Sequence, residues 1–131
     1  MIDVEDKIFN KLFLAISEEY PNAFITSEYV RKPQKFPHVS IMEQYNSTHV
    51  EASSLSNIDN ASDLMYEVNI YSNLESGKKR QAKNILAIVN ENFSRLGFIR
   101  QTVDEVPNLE DSTIYRIVSR YERVVANNEE V

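Results

Sequence analysis

A chain of 131 residues is long enough for one domain with a real core, and its 42% of apolar residues supply the means to bury one. Cysteine is absent, which excludes disulfides, thiol catalysis and thiolate metal sites together. The net charge of −6 disfavours generic nucleic-acid binding, because such domains meet the phosphate backbone with a basic surface.

No apolar run approaches the ~18 residues of a membrane span, and the N-terminus lacks the basic start and apolar stretch of a signal peptide. A cytoplasmic or virion setting is therefore expected. With only 2 Gly and 4 Pro, the composition is that of a folded domain rather than a linker.

The first element is a helix over about 4–19. Phe9, Leu12, Phe13, Ile16 and Tyr20 fall on one helical face, Asp3 can accept from free amides of the first turn, and Pro21 stops the run. Residues 23–30 are β-branched and aromatic and read as a strand; 31–37 is a basic turn with two prolines. A second strand covers 38–45, with Val39 and Ile41 on one face and Met42 and Gln44 on the other. The polar stretch 46–62 reads as a long loop that is mobile until the protein assembles. A short continuation of the flanking strands into it, around 49–52, is an alternative.

The third strand, about 63–72, has the best two-residue alternation in the chain. A second helix follows over about 77–96, with Ala82, Ile85, Leu86, Val89, Phe93 and Leu96 on one stripe. Gly97 is placed for a left-handed C′ position, with Phe98 folding back on the last turn. Strands over about 98–106 and 113–125 enclose a turn-rich loop at 107–112, and the tail from 126 to 131 is expected to fray. The order αβββαββ, with single-faced helices, implies one α+β domain over 1–131: two helices packed on a mainly antiparallel sheet of about five strands.

The chain offers little for catalysis. His49 and Glu51, two apart, share a face if extended, but no third ligand lies near; His38 is the other imidazole. The acidic pairs Glu18-Glu19, Glu110-Asp111 and Glu129-Glu130 are chain neighbours that cannot bracket a substrate. Ser76-Gly77-Lys78 shares the Gly-Lys pair of a phosphate-binding loop but lacks its earlier glycine. Two cationic groups stand out instead. Lys78, Lys79, Arg80 and Lys83 crowd a helix N-terminus, where they oppose the macrodipole and invite a compensating acidic surface. Arg116 and Arg120 share a face of the last strand, with Arg123 on the other, and can pair within the subunit or across a boundary.

The second half carries distinctive junctions: the ladder Leu64, Tyr66, Val68, Ile70 running into Asn73 and Ser76-Gly77-Lys78-Lys79; Leu96-Gly97-Phe98; Pro107-Asn108; and Asp111-Ser112-Thr113-Ile114-Tyr115-Arg116. Over about 63–125 this order and these junctions resemble the small tail terminator (tail completion, or minor capsid) proteins of long-tailed phages and prophages. The resemblance implies a structural protein without enzymatic activity or cofactor: a homohexameric ring on the tail tube that stops polymerisation and presents a surface to the head connector. Its implied place is the head–tail junction of the virion, and the host cytoplasm during assembly. Partners would be further copies, the tail tube protein and the connector, with no sequence-specific nucleic-acid binding and no membrane. Lys78, Lys79, Arg80, Arg116 and Arg120 are candidate subunit contacts. The 46–62 loop, with His49 and Glu51, is a candidate tube or lumen contact. Alternatives are another head–tail connector component, a small cytoplasmic hydrolase using His49 and Glu51, or a regulatory domain binding a ligand on its sheet.

Overall fold

The computed structural model describes residues 2–48, 61–108 and 110–126. Its order is α1 (Glu5–Glu19), β1 (Phe24–Thr26), β2 (His38–Thr48), β3 (Ala61–Ser72), α2 (Lys78–Arg95), β4 (Ile99–Glu105) and β5 (Tyr115–Ala126). The five strands form one sheet in the order β1-β2-β3-β5-β4. Only the short β1–β2 pair is parallel; the others are antiparallel. This is the expected α+β domain.

Both helices lie on one side of the sheet. α1 buries Ile8, Leu12 and Ile16; α2 buries Ala82, Ile85, Leu86, Val89 and Phe93. They meet Val39 and Ile41 of β2, Leu64, Tyr66, Val68 and Ile70 of β3, and Ile117, Tyr121 and Val125 of β5 in a single core. Each strand gives this side every second residue, as the pleat requires. An aromatic nucleus sits beneath α2: the Phe93 and Tyr121 rings stack with centroids 4.2 Å apart, and Phe98 packs edge-on to Phe93 at 5.1 Å.

The helix ends follow from their residues. The Asp3 carboxylate accepts from the Glu5 amide at 3.3 Å, but the N-cap is Val4, whose carbonyl takes the first helical bond and which has no side-chain cap, so Asp3, the expected cap, sits one residue before it. At the end of α2, Gly97 is left-handed (φ +82°), its amide donates to the Ser94 carbonyl, and that of Phe98 donates to the Phe93 carbonyl at 2.9 Å. These are the two bonds of a Schellman ending.

Two boundaries differ from expectation. β1 stops at Thr26 rather than near residue 30, because the Thr26 hydroxyl donates to the Glu28 carbonyl at 2.9 Å and turns the chain. The loop expected over 46–62 is shorter. Asn46, Ser47 and Thr48 pair with Leu64, Asp63 and Ser62, since strand pairing satisfies backbone groups whatever the polarity of the side chains. His49, Glu51 and the rest of 49–60, with the mobility expected there, lie outside the described residues, as does most of the expected frayed tail.

Candidate functional site

Among the described residues the opposite sheet face carries no helix, and its two ends differ in kind. At one end a row of side chains crosses four strands. Phe24 and His38 stack at 5.0 Å, His38 and Tyr71 at 5.3 Å, and the Arg116 guanidinium lies 5.4 Å over the Tyr71 ring. The Lys35 ammonium stands over the Phe24 ring at 5.8 Å. The register places these groups opposite one another: Phe24 pairs with His38, His38 with Tyr71, and Tyr71 with Arg116.

His38 is fully buried. Its Nε2 lies 3.0 Å from the Thr26 hydroxyl, whose single proton is already given to Glu28. The imidazole is therefore the donor there, and its Nδ1 carries the lone pair. That Nδ1 is buried without a hydrogen-bond partner. Burial with no compensating carboxylate pushes the pKa of His38 down to about 4. Beside it, Asn69 Oδ1 accepts two hydrogen bonds from Arg116, at 3.0 and 2.7 Å. Near the same end, Arg31 of the 27–37 connection reaches Glu110 at 3.4 Å.

The other end is open. Here Tyr45, Met65, Glu122 and Ile99 form one cross-sheet row, and Ser47, Asp63 and Val124 form the next. Two irregularities set this arrangement. An extra residue, Gln44, interrupts β2 between Glu43 and Tyr45, and Gln101 does the same in β4. A bulge reverses the facing of the residues beyond it. Tyr45 thus leaves the core side occupied by Glu43 and joins the open face, while Ile99 lies on that face beyond the second bulge. Tyr45 donates to the Glu122 carboxylate at 2.7 Å, and this bond with Glu122 is the main reason its hydroxyl pKa is raised to about 12. Tyr45, Asp63, Ile99, Gln101, Glu122 and Val124, with Leu64 and Arg123 of the helix side, line a shallow groove of about 330 Å³ at this end of the sheet. β4 borders it and, among the described residues, is an edge strand paired only with β5.

The cationic candidates fall in two places. Arg116 and Arg120 lie on the helix-free face, Arg116 in the stacked row and Arg120 at 3.5 Å from Glu67. Arg123, on the helix side, donates to the Leu96 carbonyl. Lys78, Lys79 and Arg80 open α2 behind Gly77, which takes φ +88° with no side-chain cap. Lys78 donates to the Thr113 carbonyl at 3.2 Å, and Lys79 sits 3.4 Å from Glu105. The Glu105 carboxyl is held below its usual range by the Tyr115 hydroxyl first and by Lys79 next. Part of the acidic compensation expected for this cluster thus comes from β4 of the same subunit.

Among the described residues, no group of three His, Asp or Glu side chains is arranged to hold a metal ion. Nor is any helix long and apolar enough to cross a membrane. Sequence reading did not single out Tyr45, Ile99 or Val124. Their apolar character was visible, but their common face depends on two bulges that leave no period in the sequence. No protein-family model and no curated protein matches the chain.

Proposed function

We propose that this chain is a ring-forming tail terminator of a long-tailed phage or prophage. It would cap the tail tube and present a joining surface to the head connector. One observation carries the reading beyond the resemblance. Among the described residues both helices cover the same side of the sheet, and the other side ends in a groove that leaves Tyr45, Ile99 and Val124 exposed beside the β4 edge. Unpaired edges and apolar grooves are surfaces that proteins cover with a partner. The αβββαββ order and the left-handed Gly77 and Gly97 are in keeping with the junctions that carry the resemblance.

Capping is competitive in this mechanism. One face of the ring copies a tube-ring contact, the other lacks it, and growth stops. No residue is assigned a catalytic role. The net charge of −6 suits a lumen that repels phosphates and lets the genome pass. Lys78, Lys79, Arg80, Arg116 and Arg120 are proposed near subunit boundaries. Exposed ion pairs contribute only about 0.2–1 kcal/mol each, so apolar contacts must supply most of the association. Deletion of the gene in its phage, followed by electron microscopy, tests the reading. Tails of uncontrolled length that fail to join heads are expected. Tails of normal length on filled heads would overturn it.

A further inference from the structure

The helix-free face is not bare at its His38 end. His38, Ser40, Asn69 and Val118 share that face by register and are all buried, although both described helices lie on the other side. The connection between β1 and β2, residues 27–37, lies against this end. It turns off β1 through the Thr26–Glu28 bond, and Tyr29 comes close enough to Tyr71 to act on its hydroxyl. Pro33 is buried, and Val30 and Phe36 are half-buried. Arg31 reaches Glu110, and the stretch from Arg31 to Gln34 shares a cavity of about 320 Å³ with Asn108, Glu110 and Ile114 of the loop before β5. The connection thus starts at the β1 edge of the sheet and touches a loop beyond β3, so it spans the strands between.

The place it covers is poorly suited to a charge. His38 stacks between Phe24 and Tyr71; its Nε2 meets Thr26 and its Nδ1 meets nothing. Ser40 Oγ, two residues along the same face, is also buried without a partner. The charged groups at the two ends of the row are both cations, Lys35 from the connection and Arg116 from β5. The carboxylates of this end are engaged elsewhere: Glu67 of β3 meets Asn69 and Arg120, and Glu110 meets Arg31. Glu28 offers a carbonyl already taken by Thr26, and the Tyr71 phenol is kept neutral by burial. A proton on Nδ1 would therefore make a buried cation with no acceptor, set between two others.

We propose that residues 27–37 are a cover held shut by the neutral imidazole of His38, and that protonation at Nδ1 lifts this cover while the helix-side core stays folded. The charged ring reaches water by leaving its place between Phe24 and Tyr71, and the cover rests on that place. The core is held from the opposite side by α1 and α2. Opening presents Ser40, Asn69, Tyr71 and Arg116 on a face that the closed molecule hides. The device belongs to a single chain and does not depend on the ring.

Two neighbouring residues on opposite faces of β2 distinguish lifting from unfolding. Ser40→Cys replaces a buried hydroxyl that has no hydrogen bond, and its thiol becomes reactive when the cover lifts. Val39→Cys lies in the helix-side core and becomes reactive when the chain unfolds. The chain has no other thiol. Each variant is titrated with dithiodipyridine, which reacts with thiols in acid, from pH 7 to pH 4, and its rate is divided by that of the exposed Leu74→Cys. Ser40→Cys should react at least ten-fold faster than Val39→Cys throughout. Its normalised rate should rise about a hundred-fold across the range, the factor set by His38 values of about 4 when closed and 6.5 when free. In the His38→Phe background that rise should shrink at least ten-fold.

Three results overturn the proposal. Ser40→Cys reacting no faster than Val39→Cys would show that this face opens by unfolding alone. A rise that persists in the His38→Phe background would assign the pH dependence to carboxylates. Reaction of Ser40→Cys at the Leu74→Cys rate at pH 7 would show that nothing covers the face.

Discussion

The buried imidazole of His38 makes stability depend on pH in a defined window. Its pKa in the folded chain is about 4, against an ordinary value of 6.5, and the cause is burial. Between those values the unfolded chain binds a proton that the folded chain refuses. The free energy of unfolding therefore falls as pH drops from about 6.5 to about 4, and His38 adds no further dependence below that. A separation of roughly 2.5 units corresponds to about 3 kcal/mol. His38→Phe is the informative variant. It keeps a ring between Phe24 and Tyr71, leaves the Thr26 hydroxyl its bond to Glu28, and removes the titration. Urea unfolding of both proteins at fixed ionic strength, from pH 7.5 to 4.0, separates this effect from the carboxylates, which the two share. The stability of the parent relative to the variant should decline by about 3 kcal/mol across the window. Parallel curves would show that the imidazole reaches solvent or a partner and that its burial is not what sets its titration.

Three further outcomes rest on particular contacts. Phe93→Ala empties the aromatic nucleus beneath α2 and should cost about 3–5 kcal/mol, read as a large fall in melting temperature. Gly97→Ala should destabilise more than Gly77→Ala in thermal melts. Both positions have positive φ, worth about 1–3 kcal/mol of strain for a non-glycine residue. Only at Gly97 would the added carbon also meet a side chain, the Arg123 guanidinium at 3.2 Å. Tyr115→Phe removes the largest influence holding the Glu105 carboxyl down, so that carboxyl should titrate at higher pH by NMR; an unchanged titration would assign the effect to Lys79.

The parts of the fold legible in the sequence were those governed by period and by junction residues. The stripe from Ala82 to Phe93 and the alternation from Leu64 to Ile70 each depend on one element burying one side, and the structure bears both out. Gly97-Phe98 announced its cap because few residues tolerate that backbone. Length was less legible where polar residues pair. Asn46–Thr48 look like a loop because their side chains are polar, yet the ladder there is made by the backbone. The candidate surface was legible only in part. Arg116 and Arg120 were correctly placed on one face, but their partners, Asn69 and Glu67, come from a strand distant in sequence. The facing of Tyr45 and Ile99 turns on single inserted residues, whose positions are fixed by how neighbouring strands register rather than by local preference.

Those insertions also divide one sheet face between two tasks. On the His38 side of the bulges, aromatic rings, Asn69 and Arg116 meet one another, with His38, Asn69 and Tyr71 buried and Phe24 and Arg116 half-buried. Past them, the same strands hold out Tyr45, Ile99 and Val124, whose burial no element of the described chain completes. A standard interface buries about 800 Å² per partner. Against a total surface of 7920 Å², a copy meeting two neighbours would cover roughly a fifth of itself. If copies meet through this groove, as the proposed ring would have them do, the groove alone is small for that, so the contact must draw in adjoining surface, and the β4 edge beside it is the nearest backbone able to contribute. A contact assembled in this way is weak singly. In the proposed ring it would become stable only when every copy is held by both of its neighbours at once, a condition that a closed ring meets and an isolated pair does not.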